Sequence, residues 1–494
     1  MPARDGELTG PYETAPSAQS TERSPVRRRW VARRWPYIVL PLALLVIVYE
    51  TPNVITRRML SEKLGQLHDQ GAPLTLTEAA PQPVPDSQNA AVLYRKAFTG
   101  LTDERDRNLI RRFVAVNVPR PSTPRTPRPS VGQAEVVLAR HDAALRLLRQ
   151  ASLRPVCRFP LRRDESNPSF VALPSFPHLK ELRNAVRFLT AKAMVAASHG
   201  RSAEAADELA TALRMSNHAA DDPGLVPHLT QIACAAIVYR HLSDVLAVAP
   251  PNEDETRLLY SVLRGVDIAS SWQHALQGER VLGIASFDYL RASSGPEVAR
   301  IFLTPSEEDG KPEGAAALAV AVGKPLWNPF LNLDEIYYLD CMQRLITATR
   351  RPDVRSRMAV DLLEIELAHA PRYGIVTRIL IPVYMGGIAA RDKGIAIVGL
   401  MQAATALRAY QIDHGAYPAS LAELRKAGGW AISNDPFTDK PFIYRRQGRG
   451  YLIYSVGPDL TDNGGLDMYV VRARAGAKVD DDRLKYDLVL RMAR

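Results

Sequence analysis

Along most of the chain apolar residues return every three to four positions, and only near the C-terminus does a short continuous apolar run replace that rhythm. From about residue 133, Val136, Val137, Ala143, Ala144, Leu147 and Leu148 recur near a 3.6-residue period with arginines on the other face, which predicts an amphipathic helix. The same period predicts helices over 179–198, 202–220 and 225–249, and later over 333–349 and 356–370. His199-Gly200-Arg201 separates the first two, with glycine at the expected helix stop. Upstream, Asp86-Ser87 precedes an Ala/Leu-periodic run and reads as an N-cap. Tyr451 to Val456 is an aromatic and β-branched run bounded by glycine and proline, hence a strand. Phe442-Ile443-Tyr444 is its expected partner across the turn Gln447-Gly448-Arg449-Gly450.

Two stretches carry no period. Val118 to Ser130 holds five prolines and three arginines and reads as an exposed linker. Residues 294–329, rich in Gly, Pro and acid, predict a break between helices.

The N-terminal 34 residues are polar and predict a disordered tail. They end in Arg27-Arg28-Arg29-Trp30-Val31-Ala32-Arg33-Arg34, after which Trp35 to Tyr49 is uncharged. Five arginines before that run and Glu50 after it predict a cytoplasmic N-terminus and an exported bulk. The 15 residues span about 22 Å as a helix, short of a ~30 Å hydrocarbon core. A cleaved signal peptide fits the length, but Val48-Tyr49-Glu50-Thr51-Pro52 offers no small-x-small site. An uncleaved signal anchor over 35–50, with snorkelling arginines, fits better than that or than a buried soluble helix. The bilayer is thus the expected partner of residues 35–50.

Composition changes the picture in three ways. The net charge of +10 comes with 52 Arg and 11 Lys among 63 cations, and 14 Arg against 5 Asp+Glu lie between Asp103 and Arg163. The excess is therefore local, a solvated face first and a lipid-headgroup contact second. That stretch contains few aromatics (Phe113, Phe159), and together with an exported location this argues against nucleic acid. Cys157, Cys234 and Cys341, far apart, exclude a disulfide scaffold. No HExxH, GxSxG, GxGxxG or GxxxxGK[ST] occurs, so no catalytic residue is assigned. Glu366 and His369 share a helix face at i, i+3, but no second such pair exists to complete a di-iron site, so a helix-end histidine on carbonyls is the preferred reading.

The pair 179–198/202–220 resembles one tetratricopeptide repeat. Ala205 stands on its central small position, Ala193, Leu209 and Ala212 on others, and Asn217 where the repeat has proline. No second copy follows. Residues 379–465 resemble type IV pilin-like proteins, in particular the major pseudopilin of type II secretion. Tyr410 to Gly415 with Tyr417-Pro418 matches the end of that family's long helix. Ser420–Ala427 matches its short helix, and Asp435-Pro436, Pro441 and Tyr444 its loop. The hairpin matches at Tyr451–Tyr454 and the Gly-x-Asp loop at Gly457–Asp459. The prepilin leader and 20-residue membrane helix have no counterpart, and Arg378, Arg391, Asp392 and Lys393 interrupt the apolar stretch. The resemblance therefore implies a borrowed domain in preference to a pilus subunit. Pseudopilins carry Ca²⁺ in the corresponding loop, where this chain has Asp459, Asp462, Asn463 and Asp467. Those oxygen donors suit a weak calcium site, and the same residues are ordinary turn chemistry.

The expected architecture is mainly α. It has a cytoplasmic tail (1–34), a transmembrane anchor (35–50), a helical segment with a Pro-rich linker at 118–130 (51–130), an all-α body (131–378) and a small pseudopilin-like α+β module with a short antiparallel sheet (379–494). The expected function is non-enzymatic interaction or scaffolding at the bacterial inner membrane, in a secretion-related setting, with protein partners. The alternative is an exported hydrolase with a pocket in the helical body.

Overall fold

The computed structural model describes residues 50–79, 82–115, 127–160, 162–163, 174–293, 314–467, 470–471 and 485–492. The tail, the apolar run 35–49 and most of the 118–130 linker lie outside the described residues. The chain divides into two compact units, Met1–Ile55 and Thr56–Arg494. In the first, residues 50–55 are described and helical.

The second unit is mainly helical. Helix α1 covers 56–69, α2 Leu76–Ala79 and α3 Ala90–Thr99. The cap of α3 is Asn89, not the expected Asp86-Ser87. The Asn89 carboxamide accepts from the Ala91 and Arg158 amides and donates to the Arg158 carbonyl, so it closes the helix and pins it to a second segment. Asp103 caps α4 (Glu104–Phe113). The single helix expected from 133 is two, α5 (Val131–Arg140) and α6 (Asp142–Ser152). His141 at the joint is held by the Gly100 carbonyl (2.7 Å) and by Asp106 (2.8 Å).

Helices α7 (Pro177–Ser198) and α8 (Ser202–His218) form the expected hairpin. Gly200 makes its turn at a φ of 71°, a conformation that a Cβ would strain. Then come α9 (Leu225–Val248), α10 (Glu253–Arg264) with an Asn252/Glu255 capping box, and α11 (Ile268–Ala292). The expected break at 294–329 ends early, because α12 runs Gly314–Ala348. The alanine-rich stretch 315–322 is strongly helix-forming and carries the helix on through Pro325 and Pro329. Helix α13 (Val354–Ala368) precedes α14 (Ile375–His414), whose 40 residues span about 60 Å before Gly415 ends it at a φ of 76°.

The short α15 (Leu421–Ala427) leads into the sheet. Two-residue strands β1 (Arg162–Arg163) and β2 (Pro174–Ser175) pair separately. Strands β3 (Ile443–Gln447), β4 (Gly450–Ser455) and β5 (Leu488–Met492) form an antiparallel sheet in that order. The hairpin register pairs Gln447 with Gly450, as the turn predicted. Every residue of β4 is buried, as a central strand requires.

Two large hydrophobic clusters fill the unit, and a third, small one joins Leu452, Tyr454 and Val489 on the sheet. The larger runs from Ala90 to Met492 and takes in α3–α10, the C-terminal half of α14 and the sheet. The second is built from α1, α11, α12, α13 and the N-terminal half of α14. Helix α14 threads both, so the segments expected at 131–378 and 379–494 share a core. By length and composition alone α9 and α14 could each cross a membrane, but more than half of each apolar window is buried in the protein. They are core helices here. The cysteines are unpaired and buried, Cys157 and Cys234 in the larger cluster and Cys341 in the other. The arginine-rich stretch spends much of its charge internally: Arg107 pairs with Glu181, Arg140 with Asp106 and Arg149 with Glu208.

Candidate functional site

An open groove of about 700 Å³ lies between α13 and α14. Helix α13 faces α12 through Val360, Leu363 and Leu367, which are buried in the second cluster. Met358, Leu362 and Ile365, on the opposite side of the same helix, are 61, 60 and 59 % exposed. Helix α14 likewise leaves Ile375, Ile379 and Val383 in solvent at four-residue steps, beside the groove, which it walls with Pro382, Met385, Ile388 and Ala389 opposite Met358, Val360 and Leu367 of α13. Phe437, Pro458 and Leu460, from the loops flanking the β3–β4 hairpin, close one end.

A charged cluster sets this geometry. Arg391 and Asp392 are fully buried and paired at 2.7 Å. Arg391 also donates to the Thr349 carbonyl (3.0 Å) and lies 5.8 Å from the Trp272 ring centroid. Arg357 reaches from α13 to Asp392 (3.3 Å), to the Pro436 carbonyl (2.7 Å) and to the Phe437 carbonyl. Burial pushes the Asp392 carboxyl up, against the pull of Arg391 and Arg357. These bonds tie α13 to the C-terminal loops at one end and leave its middle standing off α14. The remaining charged residues of the lining, Asp361 and Glu364, are exposed and make no ion pair among the described residues. The arrangement offers apolar contact with an acidic edge and brings no nucleophile or acid–base pair together.

A second, polar cleft of about 550 Å³ opens where α8 meets α9 and α11. Its lining includes Arg214, Asn217, His218, Asp221, Gln231, Ser271 and His274. Burial pushes the Asp221 carboxyl up to about 7, although it accepts the Cys157 amide at 2.6 Å. Burial takes the His218 imidazole down to about 4. Its Nε2 faces the Arg154 carbonyl (3.0 Å) and so carries the proton, leaving Nδ1 to accept from the Tyr94 hydroxyl (2.8 Å).

Ser271 and His228 approach to 2.8 Å, the spacing of a serine nucleophile and its base. The surrounding bonds fix the opposite polarity. Asn217 donates to the Gly265 carbonyl, so its oxygen accepts from Gln231 Nε2 (2.9 Å). Gln231 Oε1 therefore accepts the Ser271 proton (2.5 Å), and His228 Nδ1 must donate to Ser271 Oγ. His228, pushed down to about 4 by burial and by Arg391, stays neutral with Nε2 buried and unpartnered. Ser271 is not poised for general-base activation.

The sequence-predicted calcium ligands fall in one loop but turn onto their own backbone. Asp462 accepts from the Tyr454 hydroxyl (2.9 Å) and the Gly464 amide (2.8 Å), which hold its carboxyl below the usual range. Asp459 accepts from Thr461 and from the Asn463 carboxamide (2.9 Å). Asp467 bridges to Asp487, which takes the amides of Asn463, Gly465 and Leu466. Among the described residues no three His, Cys, Asp or Glu side chains gather to hold a metal ion. Calcium there would compete with the bonds to Tyr454 and Gly464.

Glu366 pairs with Arg344 (2.6 Å), and His369 Nδ1 bonds the Ile365 carbonyl, the helix-end arrangement preferred for this histidine. Asp435, matched above only as part of a loop, is buried, and its carboxylate takes the Phe437 and Val456 amides and the Ser455 hydroxyl. The groove went unread in the sequence because its apolar walls, Val360 and Leu367 of α13 and Met385 and Ile388 of α14, carry the same period as a buried stripe. No protein-family model, curated protein or solved structure matches the chain.

Proposed function

We propose that the chain is an inner-membrane protein of the bacterial envelope, held by residues 35–50 with its N-terminus cytoplasmic. It acts without catalysis, as a scaffold that binds other proteins through the α13–α14 groove. The observation that carries this reading is the groove itself, walled by Met358 and Val360 of α13 and by Pro382, Met385 and Ala389 of α14, with further apolar residues of both helices exposed beside it. The order of α14, α15 and the β3–β4 hairpin supports the pseudopilin-like reading of the C-terminal part, and with it a secretion-related setting.

The competing hydrolase reading rests on the near-neutral Asp221 carboxyl in an open cleft. It is weakened by the committed proton of Ser271.

Photo-crosslinking in native membranes tests the proposal. A benzoylphenylalanine replacing Met358 is expected to give a discrete protein adduct, and one replacing the exposed Lys180 of α7 is not. Equal labelling from both positions, or none from Met358, would count against the groove.

A further inference from the structure

We infer that the occupant of the α13–α14 groove is a cationic amphipathic helix from a partner protein. This deepens the interaction reading and rests on it. The groove-lining rows, Val354 to Leu367 on α13 and Pro382 to Asp392 on α14, are about 20 Å and about 15 Å long, room for three helical turns. Three turns place apolar side chains at i, i+3 or i+4, and i+7, the spacing used by helices that lie in grooves. The walls supply matching contacts in Met358, Pro382, Met385 and Ala389.

Charge fixes the sign of the occupant. Arg391 and Arg357 share Asp392 under the floor, and Arg357 is further engaged by the Pro436 and Phe437 carbonyls, whereas Asp361 and Glu364 stand exposed on one wall without an ion-pair partner among the described residues. A helix flanking its apolar anchors with Lys or Arg completes them. An anionic membrane surface does the reverse, bringing like charge onto the wall that carries Met358.

The test uses the full chain in phosphatidylcholine nanodiscs. The probe is a fluorescein-labelled 18-residue peptide with Leu at i, i+3, i+4 and i+7 and Lys elsewhere, read by anisotropy against empty discs. Saturable binding with a Kd of about 1–10 µM is expected. Joint replacement of Asp361→Lys and Glu364→Lys is expected to weaken it about tenfold and flatten its salt dependence. Gly386→Trp is expected to abolish it. A Cβ at Gly386 meets nothing within 4 Å, so that side chain fills the groove without disturbing the core, and an unchanged melting curve checks this.

Equal binding of the same peptide with Glu in place of Lys overturns the cationic assignment and leaves the interaction reading standing. Binding of neither peptide overturns this inference too. In that case, flotation with phosphatidylglycerol vesicles that Gly386→Trp abolishes assigns the groove to lipid and overturns the protein-binding reading as well. A dimer dissolved by Gly386→Trp assigns the groove to a second copy of the chain.

Discussion

The α7–α8 and α13–α14 hairpins are both helical pairs with apolar periods, yet their side chains meet different fates. In α7–α8 apolar positions from Leu179 to Met215 are buried, and Ala193, Ala205, Leu209 and Ala212 are at most 1 % exposed. In α13, Ser356, Val360, Leu363 and Leu367 are the buried residues, and a second apolar row faces water. The neighbours make the difference. Helix α8 packs between α7, α9 and α10, whereas α13 has α12 on one side and an open groove on the other. A repeating apolar pattern records which faces want burial, and whether the covering surface belongs to the same chain is decided elsewhere.

The sharpest way to break this contrast is to remove the charges under the groove. Asp392→Ala leaves Arg391 buried without its carboxylate partner, and a loss of about 3–5 kcal/mol is expected in chemical denaturation. Next comes a matched pair. Leu209→Ala in α8 should cost about 2–5 kcal/mol, whereas Leu362→Ala in α13 should stay within about 0.5 kcal/mol. Equal losses would mean that the α13 row is already covered.

The cleft gives a smaller, pH-dependent effect. The Asp221 carboxyl sits at about 7 in the folded chain against ~3.9 unfolded, so the folded state holds a proton that the unfolded state has released. That contribution is present below about pH 4 and is lost as pH rises to about 7. Asp221→Asn should therefore gain stability relative to the parent as pH rises through this window, by about 1–2 kcal/mol at pH 8, measured by thermal melting at pH 5 and 8. His218 and His228, both down to about 4, pull the other way: their contribution is full above about 6.5 and is lost as pH falls toward 4.

The smallest effect is at the C-terminal loop. Asp462→Ala removes the acceptor for Tyr454 and Gly464 and should cost about 1 kcal/mol without calcium present. A calcium titration of parent and variant, read by melting midpoint, separates a coordinating loop from a turn held by its own hydrogen bonds.

Much of the helical frame was legible from spacing alone. The hairpin at Gly200, the helix over 225–249 and the β4 strand all come from periods of 3.6 or from a short β-branched run. What was missed depends on contacts distant in sequence. Strand β5 is recognisable through its pairing with β4, since Leu488–Met492 is five residues next to a charged stretch. Asn89 outcompetes Asp86-Ser87 as a cap because Arg158 lies opposite it. Arg391 and Asp392 interrupt an apolar pattern and so look exposed, but each supplies the other's counter-charge at full burial. The candidate sites were less legible still. The groove is a surface left uncovered, and the direction of the Ser271 bond is set three hydrogen bonds away at the Gly265 carbonyl.

The placement of the three thiols has a consequence in time. Burial raises all three, Cys234 to about 12 and Cys341 to about 11, so almost no thiolate forms while the protein is closed. A thiol reagent can then react only during an opening event. With Cys157 and Cys234 in one core and Cys341 in the other, the labelling rate of each cysteine is a clock for how often its own half of the molecule comes apart.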